Sequence, residues 1–210
     1  EMAMGVYYHT VVDTDIEKFP AVFSSRDEAY HAFQVGIVKL RQPIDVRLPS
    51  GPVVETTIGR LEFNELLPKT YDYMNEAISA KKIKTLVTDV IKVDTSENIT
   101  KLIDAIKDLG FRAATISGLS VSVPDCEMIT NKDEIIEEAN KKVEQIQEQY
   151  FEGMIAGEER KRLAFDVWID TTDEIAEKTW NSYDEKNAVK VIIESGGTRA
   201  SKDQVKQLAA

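Results

Sequence analysis

The order of hydrophobic and polar positions divides the chain into stretches of different period. Over residues 1–68 it reads as strands with one helix. Val6, Tyr7, Tyr8, Val11 and Val12 are β-favouring. Ser25-Arg26-Asp27-Glu28 has the form of a capping box, in which the Ser25 hydroxyl takes a free backbone N–H and Glu28 reaches back. Ala29 and Phe33 then share a helical face, and Gly36 is a natural stop. Ile44, Val46 and Leu48 alternate with Asp45 and Arg47, the period of a half-buried strand. Pro49-Ser50-Gly51-Pro52 turns the chain into a return strand starting at Val53 and Val54.

Residues 69–130 mix both periods. Tyr73, Ala77 and Ile78 suggest a helix. Ile99, Leu102, Ile103, Ile106 and Leu109 form an apolar stripe at helical spacing that Gly110 closes. Leu119, Val121 and Val123 alternate with Ser120 and Ser122, predicting a strand that Pro124 ends. From residue 131 the apolar positions narrow to a seam. Asn131 with Glu134 caps a helix whose apolar positions are Ile135, Ala139, Val143, Ile146 and Tyr150. Gly153 and Gly157 bracket a hinge, and a second helix from about Glu158 carries Leu163, Val167, Thr171, Ile175 and Thr179 along one side. An arm of about 18 residues extends roughly 27 Å. Trp168 and Trp180 are expected to pack its base. Residues 184–210 read as a polar linker, an apolar strand through Val189, Val191 and Ile193, a glycine turn and a final helical start. The expected fold is α+β. It has a mixed β-rich scaffold with short helices over 1–130, a protruding antiparallel two-helix coiled-coil hairpin over 131–183, and a linker and strand over 184–210.

Composition narrows the function. With 42% hydrophobic residues in a chain of 210, a real core is expected rather than disorder. Acids outnumber bases 37 to 26, which argues against general gripping of phosphate backbones and favours partners with basic patches. The excess concentrates in residues 131–160, where nine acids face four bases. Cys126 stands alone, so no internal disulfide or cysteine zinc site is expected, and His9 and His31 are too few for a histidine-rich metal site. No apolar run approaches the roughly 18–20 residues that span a bilayer. The first residues lack the basic region and cleavage site of a secretion signal, so a cytoplasmic setting is expected. The chain reads as a piece of something longer.

Candidate chemistry is sparse. Gly196-Gly197 could cradle a phosphate on backbone amides, but the spacing of the phosphate-loop and dinucleotide fingerprints is missing and an ordinary turn accounts for it. Cys126 has no histidine nearby in sequence, and His9 reads as a packed strand residue. Asp166 and Asp170 stand four apart on a charged helix face, where solvation is the plainer reading and a metal-dependent hydrolase the sharper one. Tyr150, Phe151, Met154 and Ile155 end the acidic arm with apolar side chains. Packing across the hinge and docking of a partner both account for them.

Four blocks in order carry a resemblance. Glu1-Met2-Ala3-Met4-Gly5-Val6-Tyr7-Tyr8-His9-Thr10 is the first. Val54-Glu55-Thr56-Thr57-Ile58-Gly59-Arg60, with Phe63-Asn64-Glu65-Leu66-Leu67-Pro68, is the second. The third is Leu109-Gly110-Phe111-Arg112-Ala113-Ala114-Thr115 with Gly118 to Val123. The last is Ser195-Gly196 with Arg199-Ala200-Ser201-Lys202-Asp203-Gln204 and Gln207-Leu208-Ala209. Together they resemble the largest catalytic subunit of bacterial RNA polymerase, the β-prime family. The resemblance implies a wall of the secondary channel (1–130), then the rim-helix hairpin (131–183) on which Gre-type transcript-cleavage factors dock, then the approach to the F-loop.

It adds Glu158, Glu159, Arg160 and Asp166 to the docking residues, and Arg199, Gln204 and Gln207 to the F-loop approach. It implies the beta, alpha and omega subunits as partners, with DNA and RNA met only in the assembled enzyme. No catalytic residue, metal ligand or cofactor is expected in this segment, because the family's magnesium-binding motif Asn-Ala-Asp-Phe-Asp-Gly-Asp is missing from the sequence. One residue more than the family pattern stands in Gly157-Glu158-Glu159-Arg160-Lys161-Arg162 and again in Ser195-Gly196-Gly197-Thr198-Arg199. A free-standing coiled-coil adaptor on an α+β scaffold is the alternative.

Overall fold

The computed structural model describes residues 1–49, 51–68, 70–198, 201, 204 and 207. Glu1–Leu119 and Glu194–Thr198 form one unit, and Ser120–Ile193 with Arg199–Ala210 the other. The first unit is built around α1 (Met2–Thr10), in which Gly5, Val6, Tyr7, His9 and Thr10 are all buried. This helix meets α5 (Ser96–Ser117) and α3 (Ile58–Glu65) almost backbone to backbone. A Cβ on Gly5 would collide with the Gly110 carbonyl, one on Gly110 would lie 2.5 Å from the Met2 carbonyl oxygen, and one on Gly59 would strike the His9 carbonyl. Around that contact Val6, Phe63, Leu86, Ile106 and Leu109 share a core with α4 (Ala80–Val93).

A second core, with Ile44, Val46, Ile58 and Leu61, lies under a small sheet and α2 (Arg26–Gln34). The sheet runs β1 (Val22–Phe23), β2 (Ile44–Arg47), β3 (Val53–Thr56), with β1 parallel and β3 antiparallel to β2. The hairpin predicted at Ile44 to Val54 forms, closed by Gly51 N–H on the Leu48 carbonyl at 2.9 Å; Ser50 lies outside the described residues. Its register sets Asp45 directly opposite Glu55. Two facing carboxylates repel, and Lys18 bridges them, which holds its ammonium above its ordinary range, chiefly through the bond to Asp45. The predicted cap of α2 is present: Ser25 Oγ accepts from Glu28 N–H at 3.2 Å. The returning carboxylate bonds Ser24 rather than the cap residue, and these bonds hold Glu28 below the usual carboxylate range.

The expectation of a β-rich scaffold is wrong. The strands are two, four and four residues long, and most described residues are helical. The β-favouring Val6-Tyr7-Tyr8 lies in α1, because a helix buried on several faces shows no helical period and looks like an apolar run. The run Val189, Val191, Ile193 is helical too, in α8 (Ala188–Ser195). Its start was signalled by Asn187, whose Oδ1 accepts from the N–H of Val189 (2.9 Å) and of Lys190 (3.3 Å). Leu119 to Val123 alternates without a pairing strand and ends in a short 3-10 turn over Val123–Asp125. Gly110 does not end α5, which runs on to Ser117 and closes at Gly118 with φ +58°.

Tyr73 to Ile78 is not helical but a loop pinned from two helices. Asn64 exchanges bonds with the Met74 N–H (2.7 Å) and carbonyl (2.8 Å), and Arg60 donates to the Asn75 carbonyl at 3.2 Å. Arg60 Nε also donates to the Thr10 carbonyl at 2.9 Å, while Ile78 N–H donates to Thr10 Oγ1 at 2.9 Å.

In the second unit α6 (Lys132–Phe151) and α7 (Gly157–Ser182) form the expected hairpin, joined by a loop in which Gly153 has φ +75°. The predicted seam is the covered side. Ile135, Ala139, Thr171, Ile175 and Thr179 are buried, and Val143, Ile146, Leu163 and Val167 are half-buried. Trp180 packs with Tyr183, Val189 and Ile193. Gln204 and Gln207 are helical and exposed; Arg199, Ala200, Lys202, Asp203 and 208–210 lie outside the described residues.

Alanine normally stabilises a helix interior relative to glycine by about 0.5–1 kcal/mol. Gly110→Ala should reverse that sign and cost about 1–3 kcal/mol, read as a lower urea midpoint at unchanged slope. The pH dependence has a definite sign too. Burial, and next the Glu65 charge, push the Tyr30 phenol up from its ordinary 10.0, and burial does the same to Tyr73. A raised phenol favours the neutral form in the fold. Its contribution is therefore present below about pH 10 and lost as pH climbs through the folded values. Unfolding free energy should fall above about pH 10, and Tyr30→Phe should flatten that fall.

Candidate docking site

The end of the hairpin places its apolar residues outward. Phe151 is 75% exposed, Met154 71% and Tyr150 36%, while Ile155 is half-buried. The tip is ordered from within. Arg160 lies with its guanidinium carbon 4.7 Å from the Tyr150 ring centroid and donates from Nη1 to Gln147 Oε1 at 3.3 Å. Tyr150 in turn sits 5.8 Å from the Phe151 ring. Gly157 starts α7 beneath the Tyr150 ring. Hinge packing thus accounts for Tyr150 and Ile155 and leaves Phe151 and Met154 to solvent. Glu158 is exposed at the first turn of α7, where a negative charge suits the helix dipole. Glu159 pairs with Arg162.

Asp166 and Asp170 lie exposed along α7. Among the described residues no three His, Cys, Asp or Glu side chains come together as a metal site. Three other sequence candidates lie outside the hairpin. His9 is buried in α1, a helix rather than the expected strand, with Nε2 2.8 Å from Glu62 Oε2. Gly197 N–H is used by Ser195 Oγ at 3.2 Å. Cys126 is a half-buried free thiol.

One feature escaped the sequence reading. Below the tip a groove of about 310 Å3 opens between the helices, lined by Val143, Ile146, Lys161, Ala164, Phe165 and Trp168. Phe165 is 68% and Trp168 38% exposed, so Trp168 does not pack the hairpin base as expected. The signal was present: Phe165, Trp168 and Ile169 share a helical face beside the seam of Leu163, Val167 and Thr171.

Exposed apolar side chains on an acidic helix pair can serve as a recognition surface. The chain as a whole is similar to known proteins. The model of RNA polymerase Rpb1, domain 3, matches residues 1–126. The chain is 34% identical over 221 residues to the DNA-directed RNA polymerase subunit beta' of Sulfurihydrogenibium sp. (strain YO3AOP1), which covers all of this chain and 14% of that subunit. It is 37% identical over 216 residues to the same subunit of Thermosipho africanus, covering all of this chain and 13% of the relative. With that of Salinibacter ruber it shares 36% over 214 residues, 99% of this chain and 15% of the relative. The chain belongs to the RNA polymerase beta-prime family, and it spans about one-seventh of the curated relatives it matches. Among the described residues no helix is long and apolar enough to cross a membrane.

Arg160→Ala should lower hairpin stability by about 0.5–1 kcal/mol by removing the guanidinium from the Tyr150 face. Arg160→Lys should recover little of it, since an ammonium lacks the planar face; thermal melts of the variants measure both.

Proposed function

We propose that this segment works inside a DNA-directed RNA polymerase as a wall of the secondary channel and as a docking post for Gre-type transcript-cleavage factors. The observation that carries the docking reading is the pair Phe151 and Met154, held outward at the end of an acidic helix pair whose own packing leaves them uncovered. Apolar anchors at the centre of a contact carry most of the binding energy, while surrounding acids steer a basic face into register. Glu158 and Asp166 supply such charge on α7, and Gln204, Gln207 and Arg199 belong to the approach to the F-loop.

In this reading the segment assembles with the beta, alpha and omega subunits in the cytoplasm, and meets DNA and RNA only there. Nucleotide addition and its magnesium belong to other parts of the enzyme.

The test is titration calorimetry of a Gre-type factor against the assembled polymerase carrying this chain, at low and moderate salt. Phe151→Ala/Met154→Ala should weaken binding about tenfold or more, and added salt should weaken the wild-type interaction. Unchanged affinity in the double variant would remove the tip from the contact.

A further inference from the structure

The groove below the tip differs in charge from the helices around it. Its floor is apolar, from Val143, Ile146 and Ala164, and Phe165 and Trp168 wall one side with much of their surface uncovered. Its mouth is cationic. Arg160 is fixed over Tyr150 with one N–H spent on Gln147, and the other donors of a guanidinium remain for a ligand. Lys161 stands beside it. On the same two helices Lys141, Arg162 and Lys178 each hold a carboxylate, while among the described residues neither Arg160 nor Lys161 has one within ion-pair distance. Arg160 ends, and Lys161 directly follows, a stretch where acids outnumber bases nine to four.

From this we infer that the groove receives a bulky apolar side chain flanked by a carboxylate, presented by the docking partner; the inference rests on the docking reading above. A volume of about 310 Å3 suits one large or two smaller side chains. A carboxylate beside the anchor would take the fork of Arg160 and the ammonium of Lys161, and charge-assisted bonds of this kind add direction to an apolar contact. The resulting pattern is an acidic spot at the partner's centre within a basic periphery. That pattern fixes the rotation of the partner on the hairpin, which a uniformly acidic arm cannot do.

The experiment compares four forms of the assembled polymerase for affinity to a Gre-type factor: wild type, Phe165→Ser, Lys161→Glu and the tip variant Phe151→Ala/Met154→Ala. Phe165 and Lys161 are exposed, so neither substitution threatens the fold. Phe165→Ser and Lys161→Glu should each weaken binding about tenfold, and the Lys161→Glu loss should shrink as salt rises. If both groove variants bind like wild type while the tip variant fails, the groove inference falls and the docking reading stands. If the factor binds all four forms equally, or does not bind wild type, both fall. If Phe165→Ser changes only self-association, the groove is a contact between copies and the proposal is overturned.

Discussion

The first unit depends on how closely α1 can approach its neighbours. Gly5 and Gly110 remove the side chains that would hold α1 and α5 apart, and Gly59 does the same beneath His9. Because the backbones nearly touch, polar atoms of α1 come within reach of groups far away in sequence. Thr10 accepts Arg60 Nε on its carbonyl and the Ile78 N–H on its hydroxyl, His9 meets Glu62, and Tyr7 donates to Glu194 Oε2 at 2.7 Å. Each bond satisfies a group that close packing removes from water, where an unpaired partner would cost about 1–3 kcal/mol. Glycine here secures proximity rather than freedom of the chain.

The hairpin solves a different problem. A seam of Ile135, Ala139, Val143 and Ile146 against Leu163, Val167 and Thr171 is narrow, so little of each helix's circumference is spent on the other. The remaining faces hold the acids, the outward Phe151 and Met154, and the groove. Thr171 fits the seam by donating its hydroxyl to the Val167 carbonyl of its own helix at 2.6 Å. The polar atom is satisfied without a cross-helix partner, and the two helices stay close.

How much was legible follows from where each side chain faces. Several elements with one wet face, α2, the β2–β3 hairpin, the α5 stripe and the α6–α7 seam, print a period that is legible in the sequence, but α4, just as one-sided with Ile83, Leu86 and Val90 buried, was missed. α1, wetted little, prints only an apolar run, while in α8 the alternation of the β-branched Val189, Val191 and Ile193 looks like a strand. Gly110 looked like a stop because a packing glycine and a capping glycine are the same letter; the true cap, Gly118, is distinguished by its φ of +58°. The tip residues were found as misplaced apolar side chains. The groove was missed because Lys161, Ala164, Phe165 and Trp168 become one surface only when Val143 and Ile146 face them from the other helix.

Burial along the hairpin is graded. Ile135, Ala139, Thr171 and Ile175 are closed off, Val143, Ile146, Leu163 and Val167 only partly, and Phe151 and Met154 hardly at all. Local opening is easiest where few apolar contacts hold it back. Backbone amides should therefore trade their hydrogens with solvent sooner beside Gly153 than around Ala139 and Ile175. A surface that is the least protected part of its own helices is also the part whose protection rises most when something covers it.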